Sequence, residues 1–410
     1  MKKLTTKKIF LLGILIRLLI MPFFAHDDIF AEHRRAERIV CQGVNPLSYS
    51  SWGVRLLESG FTTLFTPFVS CDNLAQIQKS NTDIDNLNRM LFFFKLPYLL
   101  FEVGYWWLMY RLFQNKNQEK KKILVLFLAL NPVIIYSVYM FGRFESYNLF
   151  LSALILFLLS RYDKSLQKKF IFLSTFVLAI ILIIRFSYLL LIPAFIMSFG
   201  VATFPGALFI LSFIVSFLVL KLPSMLFATQ STIFPEAAGI ASGAHQNYVY
   251  HAGVSSAQHT IYIFFLLFSV IFVWWLQNES KLNKFSAQTK LALFSAATLL
   301  SFYATTYFHP QYFTWIMPFF AVLMVNDKTK FLWKSFWYLL PFYFIYILSW
   351  GNAAAFALAS PISVVFNHIE PSWFLPILEL DKWVNIARTF LTGFCLYWIY
   401  FLLKNYEKNS

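Results

Sequence analysis

Apolar segments long enough to cross a lipid bilayer recur along this chain of 410 residues. A membrane-spanning helix needs about 17 to 25 consecutive, mostly apolar residues, and it satisfies its own backbone hydrogen bonds in lipid. Segments of this kind predict about twelve helices, near residues 8–25, 91–113, 123–140, 147–160, 170–185, 187–200, 204–221, 260–277, 291–307, 311–325, 331–349 and 384–403.

The composition agrees with a membrane environment. Hydrophobic residues make up 59% of the chain, charged residues only 13%, and there are 50 phenylalanines. One water-soluble core cannot bury so much apolar surface, so lipid has to be the main solvent. The predicted fold is therefore an all-α, polytopic transmembrane bundle. Pro132, Pro193 and Pro318 interrupt three of the segments, which predicts kinked or partial spans packed against neighbouring helices.

The basic residues predict the orientation of the bundle. Lysine and arginine near span ends are retained on the cytoplasmic side. They precede the first span and recur in every second connection, at Lys2–Lys8, Lys116–Lys122, Arg161–Lys169, Lys281–Lys290, Lys328–Lys334 and Lys404–Lys408. Both termini are thus predicted to be cytoplasmic. The net charge of +15 is explained by this topology, and we expect no nucleic-acid partner.

The opposite, extracytoplasmic face receives the long connections 26–90, 222–259 and 350–383, together with all seven histidines. Histidine, carboxylate and arginine side chains transfer protons and neutralise phosphates, so we expect the functional site on this face. We divide the chain into an N-terminal module, 1–222, with a catalytic first outer loop at 26–90, and a C-terminal module, 223–410, with a lid loop at 223–259.

An acidic cluster, His26-Asp27-Asp28, follows the first apolar segment. Carboxylates are costly beside hydrocarbon, which makes this position a candidate for chemistry. Helical spacing would place Asp28, Glu32 and Arg35 on one face of an interfacial, amphipathic helix. Either aspartate is a candidate general base, whereas an aspartate that only caps the helix is the structural alternative.

Two short polar turns complete the candidate site. The turn Phe141–Asn148 contains Arg143 and Glu145, which as an ion pair could position a hydroxylated substrate; a simple solvated hairpin is the alternative. The segment from His309 to Gln311 opens the tenth predicted span, where proline capping and an aromatic belt are the ordinary explanation and phosphate binding is the functional one.

Other polar residues remain between structural and functional interpretations. Arg17, Lys95, Glu102 and Arg185 lie within predicted spans; Lys95 and Glu102 share a helical face and are candidates to pair, while Arg185 is placed to meet a phosphate or to snorkel. The spacing of His245, His251 and His259 favours a mobile lid over a metal centre. Cys41 and Cys71 share the first outer loop, either as a disulfide or as free thiols.

The order of these motifs resembles the GT-C superfamily of integral-membrane glycosyltransferases. The resemblance covers most of the chain and rests on His26-Asp27-Asp28, on the long first outer loop, on Asn131-Pro132 leading to Gly142-Arg143-Phe144-Glu145-Ser146, and on His309-Pro310-Gln311-Tyr312. The turn and the first loop are most similar to mannosyltransferases that use dolichyl or other polyprenyl phosphate mannose. Family members often have one Asp or an Asp-Glu where this chain has His-Asp-Asp.

The resemblance implies transfer of a hexose, mannose in the most similar enzymes, from a polyprenyl-phosphate donor to an acceptor on the outer face, with inversion. In that scheme Asp27 or Asp28 is the base, Arg143 and Glu145 shape the sugar site with His26 and Gln311 nearby, and Arg185, His245 and His309 meet the phosphate. No metal ligands are assigned, and a divalent cation, Mg²⁺ or Mn²⁺, stays open. The acceptor is unknown, and a transporter or a lipid-linked glycan flippase or polymerase is the alternative.

Overall fold

The computed structural model describes residues 5–49, 52–75, 86–199, 203–227, 253–256, 259–374 and 379–408. Within these residues the fold is almost entirely helical. In chain order the helices are α1 (Thr6–Ile20), α2 (Asp27–Gln42), α3 (Trp52–Phe65), α4 (Cys71–Ala75), α5 (Leu87–Leu112), α6 (Gln118–Ala129), α7 (Pro132–Ile134), α8 (Glu145–Ser165), α9 (Lys169–Ile184), α10 (Ile192–Phe199), α11 (Phe204–Phe227), α12 (Ile263–Leu282), α13 (Ala287–Thr305), α14 (Met317–Asn326), α15 (Phe331–Ile347) and α16 (Leu380–Lys408).

Shorter helical segments join several of these elements. A π-helical segment, Ile135–Met140, continues α7, and the 3₁₀ segments Phe186–Leu191 and Pro310–Ile316 lead into α10 and α14. Pro132 and Pro318 lie in the first turns of α7 and α14. A first turn tolerates proline because its N–H groups have no partner within the helix. The predicted interruptions at these two prolines are therefore breaks between helices.

A two-stranded antiparallel sheet departs from the all-α prediction. Strand β1 (Gly253–Ser256) pairs with β2 (His259–Tyr262), with Val254 opposite Ile261 and Ser255 opposite Thr260. Side-chain oxygens of Ser255 and Thr260 lie 3.1 Å apart across the pair. β-branched residues and cross-strand hydroxyl contacts favour strands over helix here. The span that we predicted from residue 260 consequently begins, as α12, only at Ile263.

Five described helical stretches are long and apolar enough to cross a membrane: Gln118–Met140, which joins α6, α7 and the π-helical segment, Phe204–Leu222, Ile263–Leu282, Phe331–Trp350 and Leu380–Tyr406. Large apolar side chains are exposed on α11, at Leu211 and Leu218, and on α12, at Leu266 and Val270. Such faces are suited to lipid rather than water. The chain is thus a helical protein with membrane character, and crossing by the other predicted spans stays a prediction.

Buried charges hold α1 in the bundle. Arg17 of α1 makes a bidentate contact with Glu102 of α5, with N–O distances of 2.7 and 2.6 Å. Lys95 donates instead to the backbone carbonyls of Met21, Phe24 and Tyr139. The prediction that Lys95 pairs with Glu102 is therefore wrong. The two residues lie two helical turns apart on α5, and α1 supplies Glu102 with a bidentate partner.

Helices α2, α3 and α4, which follow α1 and precede α5 in the sequence, form one packed unit. Helix α2 packs against α3 and α4, and α3 packs against α9. A disulfide joins Cys41, near the end of α2, to Cys71 at the start of α4. Gly43 ends α2 in the left-handed conformation, with φ +70°. The disulfide and Gly43 lie at the end of α2, whereas its first turn lies against the connection between α7 and α8, where Ile29 approaches Gly142.

Candidate functional site

The first turn of α2 lies on the turn that precedes α8. His26 caps the helix, since its Nδ1 accepts a hydrogen bond from the backbone N–H of Asp28 at 3.1 Å. Gly142 lies opposite, with φ +81°, and a Cβ there would be 2.9 Å from Cδ1 of Ile29. Glycine permits both this backbone conformation and this close approach. Because His26 supplies the cap, capping does not account for either Asp27 or Asp28.

Asp28 is the half-exposed carboxylate of the site. Its Oδ2 lies 3.2 Å from Nη1 of Arg143 and 3.7 Å from Nδ1 of His26, and the side chain is 37% exposed. Burial acts to raise the pKa of Asp28, but the positive charge of Arg143, together with His26, holds that pKa below its ordinary value. Asp28 is consequently ionised at neutral pH and accessible to a ligand. Asp27 is half-buried in the same helical turn.

Glu32 connects three arginines one helical turn further along α2. Its carboxylate contacts Arg35 at 3.2 Å, Arg143 at 3.5 Å and Arg55 of α3. Glu32 is almost fully buried. The predicted face of Asp28, Glu32 and Arg35 is therefore present, and Arg143 lies between the two carboxylates. Each charge in this group has an opposite charge within contact distance, which reduces the cost of burial.

Glu145 belongs to a second, adjoining cluster. The prediction that Arg143 pairs with Glu145 is wrong, because Arg143 turns toward α2 and Arg185 approaches Glu145 at 3.5 Å. Glu145 is fully buried, and its Oε2 accepts hydrogen bonds from Trp315 Nε1 at 2.8 Å and Asn148 Nδ2 at 3.1 Å. The Arg185 guanidinium lies 4.8 Å from the ring centre of Tyr312. Arg143 thus contacts Asp28 and Glu32, whereas Arg185 contacts Glu145.

Three tyrosine hydroxyls hold the turn that contains His309 and Gln311. Tyr346 donates to the carbonyl of Phe308 at 2.6 Å, Tyr343 to that of Pro310 at 3.0 Å, and Tyr303 to that of Tyr312 at 2.6 Å. These bonds satisfy backbone acceptors that helices would otherwise pair internally. The turn is accordingly fixed by side chains from α13 and α15, which lie outside the motif itself.

Aromatic contacts bring His309 to the same place as His26. The His26 ring stacks on Phe141 at 3.9 Å, and the His309 ring lies 5.0 Å from Phe141 and 4.2 Å from Trp350. Burial, together with the charge of Arg143, lowers the pKa of His309 to about 3. His309 is therefore neutral at neutral pH. Gln311 is buried, and its Oε1 has no hydrogen-bond partner within the described residues.

A buried cluster is centred on Glu58 of α3, and none of its residues was among the predicted site residues. Glu58 of α3 accepts hydrogen bonds from the hydroxyls of Tyr98 and Tyr147, each at 3.1 Å, and lies 3.9 Å from His33. Burial raises the pKa of Glu58 to about 7 and lowers that of His33 to about 3. The spacing of Arg55 and Glu58, one helical turn apart in an otherwise apolar segment, is the sequence feature that could have indicated this cluster.

Some predicted positions fall elsewhere. His245 and His251, the glycine-containing stretch 239–243 and most of the lid loop lie outside the described residues; His259 begins β2. Within the ranges that the structure describes, no group of three or more His, Cys, Asp or Glu side chains is arranged to hold a metal ion.

Comparison of the chain with protein-family models, curated proteins and solved structures gave no match. The site is thus defined by geometry. Asp28, Arg143, His26 and His309 lie together, and we call this group the Asp28 rim. Glu145 and Arg185 adjoin it. The electrostatic interactions of Asp28 with His309 and Arg185 link the two parts.

Proposed function

We propose that the protein is a glycosyltransferase of the GT-C type, which transfers a hexose from a polyprenyl-phosphate donor to an acceptor hydroxyl with inversion. The observation that carries the proposal is the state of Asp28. This carboxylate is ionised, half-exposed and in contact with Arg143, at a rim shared with two histidines. A single positioned carboxylate is what attack by a hydroxyl requires.

In the proposed reaction, the acceptor oxygen attacks the anomeric carbon and its proton moves to Asp28. The new glycosidic bond forms as the bond from the anomeric carbon to the phosphate oxygen breaks. The electron pair of the broken bond leaves with the polyprenyl phosphate, so no general acid is needed. Arg143 keeps Asp28 ionised and oriented, which leaves Arg143 a positioning residue for the base.

Arg185 and His309 are the proposed partners of the departing phosphate. Arg185 packs over Tyr312 and carries a charge opposite to that of the phosphate. His309 contributes a hydrogen bond and no charge, because its pKa is low. Gln311 supplies a further buried polar group at this turn. Glu145 is buried, and it fixes Arg185 beside the departing phosphate.

The proposed topology places this rim on the extracytoplasmic side, with about twelve spans and both termini in the cytoplasm. The Cys41–Cys71 disulfide supports this orientation, because disulfides persist in oxidising compartments. A polyprenyl-phosphate donor is confined to the bilayer, so the proposal requires the site to open toward the membrane.

A transport function finds less support. A translocation path would need charged groups that are accessible along the bundle interior. Arg17 instead uses its guanidinium on Glu102 and on the carbonyls of Gly13 and Ala129, and Lys95 uses its ammonium on three carbonyls. These groups bind protein atoms, as structural residues do.

A transfer assay on the purified protein with labelled polyprenyl-phosphate hexoses tests the proposal. Asp28→Asn should lower turnover by about 100-fold or more, the usual contribution of a general base. Asp27→Asn decides between the two neighbouring carboxylates, and Asp72→Asn, an exposed change in α4, is the matched control. Undiminished transfer by both the Asp27 and the Asp28 variants would rule out an aspartate base.

A further inference from the structure

A cavity of about 530 Å³ opens at the end of the bundle opposite Asp28. The start of α13, the end of α14, the start of α15 and the end of α16 meet around it. Its volume is in the range of small-molecule and cofactor sites. Because α13 and α15 each run from this cavity to the His309 turn, the two sites are separated by the length of a helix.

The cavity is amphiphilic. Buried leucines and half-buried aromatic side chains form its floor and walls: Leu323, Leu332, Leu402, Phe285, Phe401 and Tyr406. The Phe285 and Tyr406 rings are in contact, with centroids 5.0 Å apart. Exposed Lys328 and Thr329 lie at its mouth, beside half-buried Asn326. A ligand that matches it has an apolar part and a polar, hydrogen-bonding head.

Three lysines lie at or near the mouth, with one aspartate among them. Lys328, Lys116 and Asp327 are all within electrostatic reach of Lys120. Among the described residues, none of these three lysines forms an ion pair with a carboxylate. Glu119 contacts Lys330 instead. The lysines thus repel one another, and an anionic group would relieve that repulsion.

Asp327 lines the cavity, and its single negative charge can offset no more than one of the three lysines. Its Oδ1 accepts hydrogen bonds from Thr329 N at 2.8 Å and Thr329 Oγ1 at 2.6 Å, and its Oδ2 accepts one from Leu332 N at 2.9 Å. These hydrogen bonds hold the carboxylate at the first turn of α15, where its negative charge interacts favourably with the helix dipole.

We propose that this cavity binds the head of an anionic phospholipid from the leaflet at this end of the bundle. Basic pockets between membrane helices are suited to anionic headgroups, and each nearby lysine strengthens such binding about fivefold. The apolar floor receives the glycerol region and the start of an acyl chain. The site is independent of the proposed transfer reaction, since no residue is shared with the Asp28 rim.

The test is native mass spectrometry of the delipidated full chain in non-ionic detergent, titrated with phosphatidylglycerol or phosphatidylcholine. We expect one phosphatidylglycerol to be retained at least tenfold more strongly than phosphatidylcholine. Lys328→Glu should abolish that preference, whereas Lys164→Glu, an exposed lysine at the end of α8 at the same end of the bundle, should not.

Two further measurements keep the result unambiguous. Thr289→Phe fills the cavity without a change in charge and should weaken retention of phosphatidylglycerol at least tenfold, with size-exclusion profiles as the check on folding. Inorganic phosphate should not compete at millimolar concentration. Equal retention of both lipids, retention unaffected by Lys328→Glu and Thr289→Phe, or full competition by phosphate would each overturn the assignment.

Discussion

Replacement of Arg17 by methionine should destabilise the bundle more than any single surface charge change. Arg17 is fully buried and makes four hydrogen bonds of 2.6 to 3.0 Å: two to Glu102 and one each to the carbonyls of Gly13 and Ala129. Its guanidinium also lies 4.7 Å from the ring centre of Trp106. Methionine retains much of the packing but none of these polar contacts.

The expected loss of stability is about 3–5 kcal/mol, the cost of leaving a buried charge without its partner. Glu102 would retain the hydroxyl of Tyr139 as a hydrogen-bond donor, and one neutral donor does not compensate for an arginine. The double variant Arg17→Met/Glu102→Leu removes both charges and should recover about 2 kcal/mol or more relative to the sum of the two single changes.

The assay is unfolding of the purified protein in detergent, followed by tryptophan fluorescence. The reference is the exposed pair Lys330 and Glu119, whose side chains are 42% and 61% exposed; Lys330→Met should cost less than about 1 kcal/mol. Equal effects of Arg17→Met and Lys330→Met would refute the reasoning. So would a double variant that is as unstable as the sum of the single ones.

Three further perturbations test the outer-loop helices. Gly142→Ala adds a contact with Ile29 at a positive φ and should destabilise the protein by more than Gly43→Ala, where φ is also positive but the space is open; unfolding midpoints compare the two. Cys41→Ser/Cys71→Ser removes a cross-link over 30 residues and should cost about 3–4 kcal/mol, measured by the same unfolding. The stability advantage of wild type over Glu58→Gln should shrink as pH rises from about 4.5 to about 7, because burial raises the folded-state pKa of Glu58 to about 7 and only the folded state keeps the proton there. A pH-independent difference would contradict this.

The sequence identified the elements of the candidate site better than their pairing. Helical spacing placed Asp28, Glu32 and Arg35 on one face, and α2 has that face. The partners of Arg143 and Glu145 could not be read in the same way. Neighbouring side chains in a turn point in different directions. Arg143 contacts α2, which packs over it, whereas Glu145 contacts Arg185, which follows α9.

The buried cluster around Glu58 of α3 was not predicted from the sequence, for a related physical reason. Arg55 and Glu58 are charged residues in an amphipathic segment, and such residues usually mark its solvated face. Here they lie on the buried face. Glu32 contacts Arg55, and the hydroxyls of Tyr98 and Tyr147 donate to Glu58. Which face of an outer-loop helix meets water depends on partners far away in sequence.

The contrast among the carboxylates is what distinguishes Asp28 as the reactive group. Glu32, Glu58 and Glu145 are buried, and each is in contact with at least two polar side chains. A substrate hydroxyl could reach them only by displacing those partners, at the cost of uncompensated buried charge. Asp28 is in contact with Arg143 on one side and with solvent on the other. It can therefore accept a proton from an incoming hydroxyl while buried Glu32 and Glu145 keep Arg55, Arg143 and Arg185 in place. Since they fix those arginines, neutralising Glu32 should disturb Arg143 and thereby Asp28, so that the buried acids act on the chemistry through position and not through proton transfer.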